Sequence, residues 1–367
     1  MTPAAHDHDR QSMIGAALLD RLRGEIEAAL ALYLDEAMPR LAGLHPALAP
    51  LADELRAYVA GGKRLRPLFV LLGFRAAGGV RDDHVMGAAL SLELLHTCAL
   101  LHDDVIDGAT HRRGRPATHT GFAEFHRSSN MHGSPEEYGH AVAILLGDLA
   151  FTLADDAFLR CEIKPERFMA GFRVFTTLRE EVMAGQFLDV QAAARRARLR
   201  ETVLTVATLK SGRYSVTRPL ELGAVLAGAD ETMVAGLHAF GDPLGRAFQV
   251  RDDILGVFGE QAWTGKSVSS DLAEGKRTLL VAEALDRLDA HGRAELESLL
   301  GRADLDAPGA DRARELLRDS GGLDAAQLYV ASSTADARAA LAALAVQDDE
   351  AKVTLGHLAD LLAGRQH

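Results

Sequence analysis

Two cysteines, one tryptophan, an aromatic fraction of 5% and no basic excess are the scarcities of this 367-residue chain. Cys98 and Cys161 both sit in apolar helical contexts, so a reducing, cytoplasmic setting is expected rather than a disulfide framework. The net charge of −12 argues against a nucleic-acid partner, because a reader of phosphate backbones needs a basic face to displace counterions. Any anionic ligand must then be met by a local group of bases. The longest apolar stretch, AVAILLGDLAFTLA at 141–154, is interrupted by Asp148 and falls short of the about 20 residues a bilayer requires, so no transmembrane segment is expected. The opening MTPAAHDHDRQSM has no basic region followed by an apolar core, and neither a signal nor a transit peptide is expected.

What the chain does have is alanine, leucine, arginine and glutamate, a mixture that favours helix. Apolar residues recur three and four apart in IGAALLDRLRGEIEAALALYLDEAM and in VMGAALSLELLHTCALLHDDVI, and no alternating strand pattern competes with them. Turn chemistry at GLHPALAP, AGGKRLRP, AAGGVRDD, NMHGSPEEYGH, CEIKPER, VFGEQAWTGK and ADLDAPGADR cuts the rest into further helices. With no linker or composition shift, the expectation is one all-α domain over 12–367, a bundle of long helices around a central cavity, preceded by a disordered tip at 1–11.

Two acidic pairs follow apolar lead-ins, LLHDDVID at 100–107 and FQVRDDILG at 248–256. Asp103 and Asp107 are four apart and share one helix face, with Asp104 beside them. A solvated helix end would tolerate such acids, but the lead-in LELLHTCALL reads as a buried helix, so the charges need a neutralising partner. Neither cysteine has thiolate-site spacing and no paired histidines accompany the acids, which favours a hard cation with oxygen ligands. Arg112, Arg113 and Arg115 follow at once, as fork-shaped donors suited to the phosphate such a cation would hold. The two clusters lie far apart in sequence and are expected to face each other across a bundle interior, where helix bundles build their sites.

DDVID with RRGRPATH, GGKRLRP upstream and FQVRDDILGVFG downstream resembles the trans-isoprenyl diphosphate synthases, or polyprenyl synthetases, and within them the geranylgeranyl diphosphate synthase group. The motifs occur in the family's order between about residues 60 and 280. The resemblance implies an isoprenoid-synthase fold and a Mg²⁺ cluster of up to three ions that draws diphosphate off an allylic substrate. The double bond of isopentenyl diphosphate then attacks the allylic cation. It also implies metal ligation by Asp103, Asp107 and Asp252, with Asp104 and Asp253 supporting, an isopentenyl diphosphate pocket of Lys63, Arg66, His96 and Arg113, and an allylic diphosphate contact at Arg112. Lys210, Gln249, Lys266 and Lys276 match positions that hold the allylic diphosphate or face the cation. A homodimer is expected on the same ground.

His96 on an apolar face reads equally as a satisfied core histidine, and Gln249 as an internal hydrogen-bonding group. ARRARLRE at 194–201 reads as a solvated face, and His126, His132 and His140 lack ligand spacing. The family's second motif often carries a third acid where this chain has Gly256, which removes one potential ligand. Leu95, Cys98 and Ala99 are expected to line the hydrocarbon tunnel below the ionisation site. Cys98 and Ala99 are small, so a product longer than C15, with C20 foremost, is expected. The rival readings are a class I terpene cyclase, which would need an Asn, Ser/Thr, Glu metal motif not found near 248–275, and a non-catalytic subunit, which would usually lose acids of the first cluster.

Overall fold

Turn chemistry sets the helix boundaries in the computed structural model, which describes residues 3–195, 199–259, 270–302 and 304–364. Ser134 accepts from the Glu137 backbone N–H at 3.2 Å, with Pro135 in the first turn and Glu136 and Glu137 behind it, which makes NMHGSPEEYGH a helix start. Asp230 and Asp306 start helices in the same way by accepting from Met233 and Gly309. The main elements are α1 (Pro3–Ala42), α2 (Ala49–Val59), α3 (Leu65–Ala76), α4 (Met86–Ile106), α5 (Thr118–Ser128), α6 (Pro135–Phe158) and α7 (Pro165–Ala194). They continue with α8 (Arg200–Val206), a π-helical segment (Ala207–Thr217), α9 (Arg218–Ala227) and α10 (Glu231–Phe258), and then shorter helices and the long Gly322–Ala343 and Asp349–Ala363. The all-α expectation holds.

Two details depart from the sequence reading. Helix α1 begins at Pro3, so residues 3–11, expected to be disordered, are helical; a proline is tolerated in a first turn because its missing N–H has no intrahelical acceptor there. Directly after α4, His111–Arg112 pairs antiparallel with Arg115–Pro116. The connecting Arg113 and Gly114 both have positive φ, 51° and 75°, the backbone of a two-residue hairpin turn.

Helix α4 packs along α6, α3 along α9, and α10 along both the π-helical segment and Gly322–Ala343. Residues 82–106, containing α4, are long and apolar enough to cross a bilayer by length and composition, but most of the span is buried inside the bundle. Helix α10 belongs to two apolar clusters, with Phe240 and Leu244 in the larger one and Val250 and Ile254 in that of the C-terminal third. Between α7 and the π-helical segment the backbones nearly touch. A Cβ at Gly185 would lie 2.4 Å from the Lys210 backbone nitrogen, so only glycine permits the approach that puts Gln186 and Asp189 beside Lys210.

Candidate active site

A cavity of about 790 Å³ lies between α4, α7, the π-helical segment and α10. Asp103 from the first acidic cluster and Asp252 and Asp253 from the second all line it, so the two clusters do face one space. Below Asp103 its wall turns apolar through Leu95, Cys98, Ala99 and Phe151, which places all three residues expected in the tunnel.

Asp103 accepts from Gln186 Nε2 at 2.8 Å and lies 3.4 Å from Lys210 Nζ, which also reaches Asp189 at 2.7 Å. Burial opposes the charge on Lys210, but Asp103 and Asp189 outweigh it and hold the ammonium protonated. Asp107 caps the end of α4. Its Oδ2 is buried with no hydrogen-bond partner among the described residues. Burial, then the Asp103 charge, pushes this carboxyl up to about 6.

Asp104, expected to support the metal acids, turns away from the cavity and is 1% exposed. It accepts from the Tyr58 hydroxyl at 2.8 Å and from Arg112 Nε at 2.9 Å, with Arg112 Nη2 on the same carboxylate. The reason is helical geometry: a neighbour of Asp103 is rotated by about 100° and points into the contact with α2 and the hairpin. Asp104 therefore positions Arg112, whose side chain lines the cavity.

Beside the first cavity is a second, of about 250 Å³, lined by Lys63, Arg66, His96 and Arg113. Arg66 donates to Ser215 Oγ at 2.7 Å and lies 4.4 Å over the Tyr214 ring. Arg113 Nη1 donates to the Ala60 carbonyl at 3.1 Å. The run of three bases is divided: Arg64, 2% exposed, is committed to Glu27, Glu93 and the Val59 carbonyl. Arg64 and Arg113 both hold a left-handed backbone at φ 51°, a strained conformation for non-glycine residues that concentrates at functional sites. His96 is pushed well below the usual histidine range by burial and then by Arg66 and Arg113, so it is a neutral imidazole. Its Nδ1 has no hydrogen-bond partner among the described residues.

In the second acidic cluster, Gln249 Nε2 donates to Asp253 Oδ1 at 2.7 Å. Burial pushes the Asp253 carboxyl up to about 8 despite that bond, and the charges of Asp271 and Asp252 act in the same direction. Lys276 reaches Asp271 at 3.1 Å and Glu274 at 2.9 Å. Lys266 lies outside the described residues. Gln186, Asp189 and Asp271 were not anticipated from sequence; the available signal was GQFLDV, whose amide and acid lie three apart on one helix face.

The donor set suits a hard divalent cation. It consists of carboxylate oxygens, one of them a buried oxygen with no hydrogen-bond partner among the described residues. Among the described residues no three acidic, histidine or cysteine side chains converge on one point.

A polyprenyl synthetase family profile matches residues 49–317. The short chain isoprenyl diphosphate synthase of Methanothermobacter thermautotrophicus is 31% identical over 84% of this chain and 88% of its own length. The geranylfarnesyl diphosphate synthase of Aeropyrum pernix is 34% identical over 83% of this chain and 91% of its own. The solved structure of geranylgeranyl pyrophosphate synthase from Corynebacterium glutamicum, complexed with isoprenyl diphosphate and magnesium, superposes with a TM-score of 0.91 at 33% identity, covering 95% of this chain and 99% of that one. An acid-lined cavity over an apolar well, a basic pocket beside it and these matches lead to one assignment: the chain belongs to the polyprenyl synthetase family, as a prenyltransferase of the isoprenyl diphosphate synthase kind.

Proposed function

We propose that the protein is a Mg²⁺-dependent synthase that condenses an allylic prenyl diphosphate with isopentenyl diphosphate and releases mainly the C20 product. The observation that carries this reading is that the two cavities share a wall: Lys63, Arg66, His96, Arg113, Gln249 and Asp252 line both. One space is ringed by acids and lysines above an apolar well, and the other is basic. Two diphosphates can thus be held side by side in different chemical surroundings, one through metal and one directly through guanidinium and ammonium groups. A terpene cyclase takes a single diphosphate and has no use for the second space.

Asp103, Asp107 and Asp252 would hold the metal. A Mg²⁺ ion held there would supply Lewis-acid stabilisation of the charge that develops on the leaving diphosphate. Lys210 and Lys276 stand ready as further cations, and Arg112 is held toward the cavity by Asp104. As the allylic C–O bond breaks, its electron pair leaves with the diphosphate; the isopentenyl double bond then supplies the pair for the new C–C bond, and the cation this leaves at C3 gives up a C2 proton to the released diphosphate, which restores a double bond. Arg66, fixed by Ser215 and Tyr214, and the neutral His96 set the position of that second substrate. The apolar wall of Leu95, Cys98 and Ala99 keeps water from the cation and receives the growing chain.

A homodimer is part of the same proposal, supported by the exposed Met183, Phe187 and Val190 along α7 and Ile144 and Leu145 on α6. A cytoplasmic setting is supported by Cys98 and Cys161, both free, with thiols pushed up to about 12 by burial. The test is a Mg²⁺-dependent assay with isopentenyl diphosphate and, separately, dimethylallyl, geranyl and farnesyl diphosphates, with product length read by mass spectrometry. A C20 product supports the proposal. Failure to condense with any primer, together with conversion of geranylgeranyl diphosphate to a hydrocarbon, would move the protein to the cyclases.

A further inference from the structure

The π-helical segment Ala207–Thr217 brings Lys210, Ser211 and Tyr214 to the main cavity and Ser211 and Ser215 to the basic pocket, so its winding decides which side chains face each space. Its last turn is closed by the Arg218 backbone N–H donating to the Arg213 carbonyl, five residues back instead of four. Such turns are rare in helices, and this one is fastened from both sides.

From α10, the Asp242 carboxylate accepts from Thr217 Oγ1 at 2.7 Å and from Arg213 Nη2 at 3.2 Å. From α7, Glu181 accepts from Arg213 Nη1 at 3.1 Å and from Arg218 Nε at 2.8 Å and Nη2 at 2.7 Å. Thr176, Thr205 and Thr208 turn their hydroxyls back on the carbonyl four residues earlier in their own helices, whereas the fully buried Thr217 gives its hydroxyl to α10. The same two segments are in backbone contact: a Cβ at Gly241 would lie 2.9 Å from Thr217 Oγ1, and one at Gly245 would lie 2.6 Å from Gly212 Cα. Neither Asp242 nor Glu181 lines either cavity.

We propose that Asp242, through its bond to Thr217, is a positioning residue for Lys210: it fastens the widened last turn to α10 and, with Glu181 on the other side, fixes the direction in which Lys210 leaves the segment. This rests on the reading of the site as a prenyl diphosphate synthase in which Lys210 faces the allylic diphosphate. Without the fastening the segment rewinds toward an ordinary helix. Taking one residue out of the turn rotates Lys210 about the axis by about 100°, away from Asp103 at 3.4 Å and Asp189 at 2.7 Å. Helix α10 also carries Gln249 and Asp252, so the same bond keeps the lysine's segment in register with the opposite wall of the cavity.

The test is a double-mutant cycle on kcat in the elongation assay, together with hydrogen exchange of the metal-free full chain. Asp242→Ala should lower kcat about 10- to 100-fold although its side chain lines neither cavity. Asp242→Asn keeps an acceptor for Thr217 and should stay within about threefold of the parent. In a Lys210→Met background Asp242→Ala should cost no more than about twofold, because the group it positions is already gone; damage spread through the fold would multiply the two losses. Exchange in Asp242→Ala should quicken at 207–217 and stay at the parent's level in α3 and α4. Unchanged kcat in Asp242→Ala, an Asp242→Asn variant as slow as the alanine one, losses that multiply in the cycle, or faster exchange throughout the chain would overturn the inference and leave the synthase reading standing. A parent protein that condenses no primer with isopentenyl diphosphate would overturn both. Should Asp242→Ala fail to fold, Thr217→Val removes the donor of the same bond and takes its place in the cycle and in the exchange measurement.

Discussion

The Gln186 side-chain amide donates to the Asp103 carboxylate at 2.8 Å and ties the middle of α7 to the end of α4. A carboxylate proposed to receive a metal is thereby held in one orientation by a neutral donor. Gln186→Leu should lower kcat about 10- to 100-fold while the KM for isopentenyl diphosphate stays nearly unchanged, since the basic pocket is untouched. Steady-state kinetics with both substrates varied gives the answer; an equal rise in both KM values would show that the amide supports the wall rather than Asp103.

Adjacent acids on α4 have opposite duties, and stability separates them. Asp104→Ala leaves Arg112 buried without its carboxylate and should cost about 3–5 kcal/mol in denaturant unfolding. Asp103→Ala, at the partly exposed rim, should cost less than about 1 kcal/mol while abolishing turnover. Similar losses of stability in both variants would refute the division.

The pH dependence follows from two raised carboxyls. Asp107 at about 6 and Asp253 at about 8 keep their protons to higher pH in the folded protein than in the unfolded chain. Their contribution to metal-free stability is therefore full below about pH 4 and is lost as pH rises through 6 and then 8. Metal binding needs the deprotonated forms, so Mg²⁺ affinity should rise over the same interval and Mg²⁺ should stabilise most at its upper end. Melting curves from pH 4 to 9, with and without Mg²⁺, should show this divergence, and an Asp107→Asn/Asp253→Asn variant should lack it. Parallel curves for the parent would contradict the assignment.

On the proposed reading the growing chain ends below Asp103. Cys98→Phe or Ala99→Phe places a ring into the apolar wall and should shorten the main product by at least one isoprene unit. An unchanged product, read by mass spectrometry, would mean that the chain ends against other residues.

Much of this site was legible because it follows the helical repeat. Asp103, with Cys98 and Ala99 about one turn before it, follows the helical period into the cavity, and Lys63 and Arg66 reach the same space from the turn after two glycines; Asp107, four after Asp103, caps α4 and is not among the lining residues. What escaped depends on contacts between distant segments. Asp104 looks like its neighbours in sequence, and only Tyr58 and the hairpin arginine reveal its direction. The hairpin is two residues a side, too short for an alternating pattern to register. The π-helical stretch from Ala207 to Thr217 widens the turn that carries Lys210, and its sequence has no marker that separates it from an ordinary helix.

The most direct test of two separate diphosphate sites is the kinetics of Arg66→Gln in the elongation assay. Arg66 lines the wall shared with the basic pocket, whereas Asp103's partner Gln186 lies on α7 and does not line that pocket. The KM for isopentenyl diphosphate should rise about 10- to 100-fold, as for loss of a charge-assisted hydrogen bond, while the KM for the allylic substrate stays within about twofold. An equal rise in both KM values, or a rise confined to the allylic substrate, would contradict it.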